Sequence, residues 1–339
     1  MFIGNEIVKY MLAHPFFGCE YKPALAYNVE HLGAGVGVAC AKRVCGKIEG
    51  GLHGVKLTES FYCGAAAMRR MRQDLVHLNE ISCMKSKEEI VANWLPRYTG
   101  TALEDWGEYV LLTNFSNYVR TFASWHGVEV KGEDRPMLNA TAEGISIINF
   151  GMGSATAATV MDLLEAIKPK GALFLGKCGG LKRKNSIGDL ILPIAAIRGE
   201  GTSNDYFPPE VPALPAFSLQ KAISTTIRNH NCDYWTGTVY TTNRRVWEHD
   251  EKFKEYLRQT RAMAIDMETA TIFTVGFHNE IPTGALLLVS DQPMIPEGVK
   301  TEESDKKVTT EYVDRHLRIG IDALRELINN GLTVKHLRF

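Results

Sequence analysis

The sequence lacks long hydrophobic runs, and it lacks an excess of charge of either sign. No apolar run approaches the roughly 18 residues that a membrane-spanning helix requires. The 38 Lys and Arg residues nearly cancel the 39 Asp and Glu residues, which leaves a formal net charge of −1. That balance argues against a surface built for nucleic acid or for an anionic membrane. We therefore expect a globular protein that binds neither.

Aspartate and tryptophan are scarce in residues 1–83, which contain Asp74 and no tryptophan. The same stretch holds five of the seven cysteines. Two of them form the motif CAKRVC, but no second pair follows at a spacing typical of a zinc site, so no metal is expected. Glu6 and Lys9 interrupt the first apolar stretch, which disfavours a secretory signal peptide and favours a cytoplasmic protein.

The change in composition near residue 83 predicts a domain boundary. We expect residues 1–83 to be an N-terminal extension without a catalytic role, or the product of a start codon assigned too far upstream of Met84. Residues 84–339 are then expected to form the catalytic domain.

Strand-like and helix-like segments alternate after this boundary. The first helix is predicted to follow Ser86 as its N-cap, and the last, a long amphipathic helix, to span roughly Lys306 to Ile328. Buried strands are predicted for EYVLLTNF, GISIINFGMG, GALFLGKCGG, GDLILPIAAI, AMAID and GALLLVSD. Such alternation predicts an α/β domain with a largely parallel central sheet, in which ligands bind at the carboxyl ends of the strands.

Two glycine-containing turns follow predicted strands. In NFGMGSAT, Gly151 and Gly153 allow close approach of the backbone to a ligand, and Ser154 is predicted to cap the next helix. A tight turn without a ligand is the alternative. The dinucleotide fingerprint would require a third glycine where Thr156 stands, so a nicotinamide cofactor is not expected.

In FLGKCGG, Gly176, Gly179 and Gly180 surround Lys177 at a strand end, which suggests close approach to a phosphate or a sugar. The turn does not end in the Gly-Lys-Ser/Thr of a Walker loop. Cys178 is interpreted as a small buried residue rather than a nucleophile.

Carboxylates follow two further strands. Asp266 and Glu268 come directly after AMAID, and we interpret Asp266 as the cap of a helix starting at Met267 and Glu268 as a ligand group. Asp291 ends the apolar run GALLLVSD, where burial should raise its pKa. The pair Arg244 and Arg245 could bind a phosphate, although paired arginines are more often a solvated surface.

Four motifs in order, GMG, GKCGG, DMET and SDQP, resemble those of the nucleoside phosphorylase/hydrolase superfamily over the span from Tyr109 to Leu327. The resemblance implies a three-layer sandwich around a central, largely parallel mixed sheet. Within the superfamily, GEGTSNDYFPPEVPALPAF and TGTVYTTNRRVWEHDE are similar to the short bacterial AMP nucleosidases. This group implies a homo-oligomer, with a hexamer expected, and a reaction without a metal or an organic cofactor.

The resemblance also implies roles for single residues. Asp291 would protonate the purine, Glu268 would bind the ribose hydroxyls and Met267 would pack against the sugar. The product pair would be adenine and ribose 5-phosphate from AMP; a phosphorylase or nucleosidase of unphosphorylated nucleosides, or a non-catalytic nucleotide sensor, are the alternatives. Four cationic residues are candidates for the 5′-phosphate: Lys177, Arg198, Arg244 and Arg245.

The chain departs from the bacterial phosphorylases at the residues that hold inorganic phosphate. By approximate alignment, the corresponding positions here are Asn114, Tyr118, Phe174 and Lys177. The loss of these phosphate ligands favours water as the attacking group, and hence hydrolysis. The water-activating residue is not identified by a motif, and Glu200 or Asp205 are the candidates.

Overall fold

The structure is a computed structural model that describes residues 85–330. The expected extension over residues 1–83 and the alternative start at Met84 lie outside the described residues. Between residues 85 and 330, no helix combines the length and the apolar character needed to cross a membrane.

The described chain contains eight strands and seven α-helices in alternation. The strands are β1 (Tyr109–Thr113), β2 (Asn139–Ala142), β3 (Ile145–Asn149), β4 (Gly171–Gly180), β5 (Leu190–Gly199), β6 (Trp235–Thr242), β7 (Ala264–Asp266) and β8 (Thr283–Asp291). The helices are α1 (Lys87–Thr99), α2 (Ser116–His126), α3 (Ser154–Leu163), α4 (Phe217–Asn229), α5 (Glu251–Thr260), α6 (Thr269–His278) and α7 (Glu302–Asn330). Short 3-10 turns include Thr202–Asp205 and Pro296–Gly298.

The eight strands form one mixed sheet in the order β2-β3-β1-β4-β7-β6-β5-β8, with a further pairing between β4 and β8. Strands β1, β4 and β8 run parallel, and every residue of these three strands is buried. This explains their continuous apolar runs, since a strand covered on both faces has no side that must be polar.

The pairing of β8 with both β4 and β5 closes five strands into a ring. The end of β4 bends at a register shift between Cys178 and Gly179, where Gly179 pairs with both β8 and β7. Glycine is required at this bend because a Cβ atom on Gly179 would lie 2.9 Å from the Pro293 ring, and one on Gly180 would lie 2.9 Å from Asn185. The carboxyl ends of β4, β7 and β8 therefore meet at one point.

Helices cover both faces of the sheet, which confirms the three-layer architecture. Val110 and Leu112 of β1 pack into a core with residues of α1, α3 and α6, whereas Tyr109 and Leu111 pack into a second core with residues of α2, α4 and α7. The alternation of side chains along one strand thus supplies both layers. A smaller cluster around Trp247 and Leu257 holds α5.

Several elements differ from the sequence-based expectations. Strands β2 and β6 and helix α4 were not predicted. The two strands contain few apolar residues. Helix α4 was missed although its buried apolar residues recur at helical spacing, at Leu219, Ile223 and Ile227. The last helix begins at Glu302 rather than Lys306. The first helix is as predicted: Ser86 and Glu89 form a reciprocal capping box.

Candidate active site

A cavity opens at the carboxyl ends of β1, β4, β6, β7 and β8, where parallel strands of an open α/β sheet commonly bind ligands. It brings together most of the residues selected from the sequence. The selected residues that line it are Lys177, Gly179, Arg244, Arg245, Met267, Glu268 and Asp291. Its further lining includes Asn114, Phe115, Met152, Cys178, Trp247, Glu248 and Lys300.

Asp291 is the last residue of β8 and is 9% exposed. Its Oδ1 atom accepts a hydrogen bond of 2.6 Å from the Ser290 hydroxyl. Burial raises the pKa of Asp291, while that hydrogen bond and the positive charges of Lys300 and Arg245 oppose the increase. A buried strand end therefore supplies a carboxyl group that holds its proton more tightly than one in water.

Glu268 lies in the DMET motif and is 2% exposed. Its carboxylate accepts hydrogen bonds from the backbone amides of Gly153, at 2.7 Å, and Met267, at 3.2 Å. Burial, followed by the negative charge of Asp266, raises the pKa of Glu268 to about 8. The group is thus fixed in place by backbone donors while remaining protonatable near neutral pH.

Asp266 is a third buried carboxyl group in the cavity lining and organises the start of α6. Its carboxylate accepts hydrogen bonds from the Thr241 hydroxyl, at 2.7 Å, and from both the backbone amide and the hydroxyl of Thr269. Asp266 accepts hydrogen bonds at the start of the helix, as predicted, but the helix begins at Thr269 rather than at Met267. Burial raises the pKa of Asp266 despite these hydrogen bonds.

Gly151 and Gly153 do not line the cavity, although the methionine between them does, and the amide of Gly153 holds Glu268. Both glycines have positive φ, 88° and 95°, a conformation that residues with a Cβ atom rarely adopt. The prediction that Ser154 caps α3 is wrong. Its hydroxyl instead donates a 2.6 Å hydrogen bond to the carbonyl of Met267, which ties the two motifs together.

Lys177 is 9% exposed and lies between the sheet and α7. Its ammonium group donates to Asp305, at 2.9 Å, and to the Thr309 hydroxyl, at 3.0 Å, and it lies 4.6 Å from the centre of the Phe115 ring. Burial lowers the pKa of Lys177 although its partner Asp305 opposes the decrease. The same oxygen of Asp305 accepts a contact of 2.8 Å from Lys300.

Arg244 and Arg245 lie in the loop after β6, as expected, and their side chains are about half exposed at the cavity rim. Arg244 pairs with Asp250 at 3.0 Å, and Arg245 pairs with Glu248 at 3.5 Å. Pairs this exposed contribute little to stability, so the guanidinium groups are available to a stronger anion. Lys300 and Trp247 were not selected from the sequence: Lys300 belongs to none of the motifs, and Trp247 lies in TGTVYTTNRRVWEHDE but was given no role.

The structure places Arg198 away from the cavity. Its guanidinium group donates to the Ser203 hydroxyl and to four backbone carbonyls of residues 203–211, and so holds that loop together. Glu200 is also outside the cavity lining and accepts from the Ser203 amide and the Thr271 hydroxyl. Asp205 ends an exposed 3-10 turn. We assign none of these three residues to the site.

Two of the positions that replace phosphate ligands are core residues. Tyr118 is fully buried and hydrogen-bonds through its hydroxyl to His316 at 2.8 Å. Phe174 is fully buried and packs against Phe150. Burial also raises the pKa of the Cys178 thiol well above its usual value, which agrees with its interpretation as a small buried residue. Residues 85–330 contain no group of three or more His, Cys, Asp or Glu side chains placed to hold a metal ion.

A model of the Phosphorylase superfamily matches residues 108–326, which include every strand of the sheet and the whole cavity. The chain belongs to the phosphorylase superfamily. The match covers well over half of the sequence and confirms the resemblance drawn from the four motifs.

Other members of the superfamily are similar over most of the described chain. The solved AMP nucleosidase of Bacteroides thetaiotaomicron VPI-5482 is 59% identical, with a TM-score of 0.66, over 72% of this chain and 99% of that one. The AMP nucleosidase of Escherichia coli K12 is 29% identical over 283 residues, 70% of this chain. The chain spans 58% of the length of that relative. A uridine phosphorylase of Vibrio fischeri ES114 shares the fold at 23% identity, with a TM-score of 0.59.

Proposed function

We propose that the protein hydrolyses the N-glycosidic bond of AMP to give adenine and ribose 5-phosphate. The observation that carries the proposal is the cavity itself, in which two buried carboxyl groups, Asp291 and Glu268, face a space rimmed by cationic side chains. The similarity to two AMP nucleosidases supports the choice of AMP as the substrate.

Asp291 is the general acid in this proposal. Breaking the bond between C1′ and N9 leaves a negative charge on the purine, which is a poor leaving group unless N7 is protonated. A positioned acid typically contributes about 10²–10⁴-fold to the rate. Burial raises the pKa of Asp291 and so increases the fraction that carries the proton at neutral pH.

Glu268 binds the 2′- and 3′-hydroxyls of the ribose. Two backbone amides hold its carboxylate in place, so little reorganisation is needed when the sugar binds. Its ionised form, which the two amides favour against the effect of burial, then stabilises the oxocarbenium-like sugar in the transition state. Met267, which lines the cavity next to it, packs against the sugar.

The 5′-phosphate binds to the cationic rim. Arg244 and Arg245 are half exposed and only loosely paired, and guanidinium groups bind phosphate through two parallel hydrogen bonds. Lys300 lines the same cavity and adds a third charge. Lys177 was an equal candidate from the sequence, but Asp305 and Thr309 hold it in the interior of the protein.

Hydrolysis is favoured over phosphorolysis by the same geometry. Tyr118 and Phe174 are buried core residues at positions where bacterial phosphorylases are expected to hold inorganic phosphate. Two of the N–H bonds of the Lys177 ammonium group are already taken by Asp305 and Thr309. A second anion would therefore meet few free donors at this end of the cavity.

We further propose a cytoplasmic homo-oligomer, a hexamer. Met152, which lines the cavity, is 55% exposed, and Val246 in the arginine loop is 71% exposed. A neighbouring subunit that covered these apolar side chains would also close the cavity. Sedimentation velocity at micromolar concentration tests the assembly, and a monomer would contradict it.

Product analysis tests the activity. AMP and adenosine are each incubated with and without inorganic phosphate, and the products are separated by chromatography. We expect adenine and ribose 5-phosphate from AMP, independent of phosphate. A sugar 1-phosphate formed only with phosphate would identify a phosphorylase, a preference for adenosine would identify a nucleosidase of unphosphorylated nucleosides, and stoichiometric AMP binding without adenine would identify a sensor.

A further inference from the structure

Asn114 presents a buried oxygen atom to the cavity. The residue directly follows β1, whose last residue, Thr113, pairs with Leu175, so Asn114 lies beside the Gly176–Lys177 segment of β4. Its Oδ1 atom is buried and accepts no hydrogen bond from any residue of the described chain. A buried acceptor without a partner is costly, and such groups usually bind water or a ligand.

The other end of the same side chain faces Glu268. A hydrogen bond from Asn114 is among the interactions that stabilise the charged form of Glu268 and oppose the increase in its pKa caused by burial. Because a carboxylate accepts hydrogen bonds, the donor is the amide nitrogen of Asn114. The Asn114 amide is thus oriented with its nitrogen toward Glu268 and with its oxygen available within the cavity.

Lys177 provides a donor that lines the same cavity as this oxygen. Two of its three N–H bonds point to Asp305 and Thr309. No oxygen or nitrogen atom of residues 85–330 accepts the third N–H. The ammonium group also lies against the Phe115 ring, which lines the cavity together with Lys177. Asp305 is shared with Lys300 and offsets part of the charge of the Lys177 ammonium group, whose remaining N–H can orient a water molecule.

We propose that Asn114 and Lys177 are positioning residues that hold the attacking water, which deepens the proposed function and rests on it. Asn114 Oδ1 accepts one proton of the water, and Lys177 donates its remaining N–H to the water oxygen. The second lone pair of that oxygen then points to C1′. The site lies at the sugar end of the cavity because Asn114 and the ribose share Glu268 as a partner.

The bonds change as follows in the hydrolytic step. The C1′–N9 bond breaks and its electron pair leaves with the purine, which carries on N7 the proton donated by Asp291. A lone pair of the held water forms the new C1′–O bond. The proton lost from that oxygen is released to solvent, from which Asp291 is reprotonated.

Positioning is sufficient for this step because the oxocarbenium-like sugar is a strong electrophile. Holding a reactant in a productive geometry replaces a bimolecular encounter, and a displacement of about 1 Å can cost on the order of 100-fold in rate. A strong base is then not required. This agrees with the location of Glu200 and Asp205 outside the cavity lining.

The test compares Asn114→Ala with Asn114→Asp, which keeps an oxygen acceptor, and with Asn229→Ala on α4, the same chemical change outside the cavity. AMP hydrolysis is followed in water containing methanol, and ribose 5-phosphate and methyl riboside 5-phosphate are quantified. We expect Asn114→Ala to lower kcat roughly 10–100-fold with little change in KM. The methanol-derived fraction should rise because the shortened side chain makes room for a methyl group.

Asn114→Asp should recover part of kcat and lower the methanol-derived fraction again, and Asn229→Ala should match the wild type. If the wild type hydrolyses AMP and Asn114→Ala changes neither kcat nor the product ratio, the water site is refuted and the proposed function stands. A wild type that releases no adenine from AMP would refute the proposed function, and the water site with it.

Discussion

The backbone amide of Gly153 donates a 2.7 Å hydrogen bond to the carboxylate of Glu268, although 115 residues separate the two along the chain. Ser154 makes a second connection to the same segment through the carbonyl of Met267. The glycine-containing turn after β3 therefore holds the carboxylate that we propose to bind the sugar.

Gly153→Ala should weaken this connection. Gly153 has φ of 95°, and an added Cβ atom would meet nothing within 4 Å, so the cost comes from the backbone conformation alone. We expect a loss of roughly 1–3 kcal/mol in the free energy of unfolding and an increase in KM for AMP. Gly127→Ala is the matched control, since Gly127 also has a positive φ, 63°, with nothing within 4 Å. Gly127→Ala should lose stability but keep the KM of the wild type. If Gly153→Ala also kept the KM of the wild type, the role of Gly153 would be contradicted.

Glu268 should make the protein less stable as the pH rises. Its pKa is raised from about 4.5 to about 8 by burial and by Asp266, so the folded state binds this proton more tightly than the unfolded state. The stability contributed by the protonated group is fully present below pH 4.5 and is lost as the pH rises to about 8.

Glu268→Gln should remove that contribution to the pH dependence. Urea unfolding at pH 5 and pH 8.5 measures it, and one unit of pKa corresponds to about 1.4 kcal/mol. We expect the wild type to lose roughly 2–4 kcal/mol more than the variant between these two pH values. If the wild type and Glu268→Gln lose the same free energy of unfolding between these pH values, a group other than Glu268 causes the pH dependence. Asp266, whose pKa is also raised, still contributes in the variant.

Asp291→Asn should abolish most of the turnover without affecting the fold. The amide keeps the shape and an acceptor but cannot deliver a proton to N7, so we expect kcat to fall by about 10²–10⁴-fold. Adenine release is measured by chromatography and the fold by thermal unfolding. Asp314→Asn, an exposed change on α7, serves as the control. Activity near that of the wild type in Asp291→Asn would rule out Asp291 as the acid.

Arg245→Ala should lower the activity on AMP but not the activity on adenosine. If the guanidinium group binds the 5′-phosphate, kcat/KM for AMP should fall roughly tenfold or more, as expected for a lost hydrogen bond to a charged group. The value for adenosine should remain unchanged. Arg258→Ala on α5, whose arginine forms an exposed pair with Glu255 at 2.9 Å, should change neither substrate. An equal loss of kcat/KM for both substrates in Arg245→Ala would mean that Arg244 or Lys300, rather than Arg245, binds the 5′-phosphate.

Most of the sheet and both carboxyl groups could be predicted from the sequence. The strands β1, β4 and β8 are apolar along their whole length because both of their faces are buried. A carboxylate at the end of such a strand, as in Asp291, is conspicuous for the same reason. Parallel strands end at a common edge, so Asp291, Glu268 and Lys177 were expected to meet there, and they line one cavity.

Residues whose partners are distant in the chain could not be assigned in this way. Arg198 was selected for its charge and loop position, but its charge is used to hold the loop of residues 203–211. Lys300 was missed because it reaches the cavity only through the loop between β8 and α7. Ser154 has the residue type of a helix cap, yet it donates to a carbonyl more than a hundred residues away.

The sequence by itself determined most of the strand and helix order, the family and the carboxyl groups Asp291 and Glu268, because these depend on short-range patterns of apolar and polar residues. The tertiary structure alone decided how each polar group is used. The closure of β4, β8, β5, β6 and β7 into a ring brings distant loops together. It directs Lys177 to Asp305, Gly153 to Glu268 and the free oxygen of Asn114 to the cavity. Such partners depend on three-dimensional distance, which the spacing of residues along a chain does not encode.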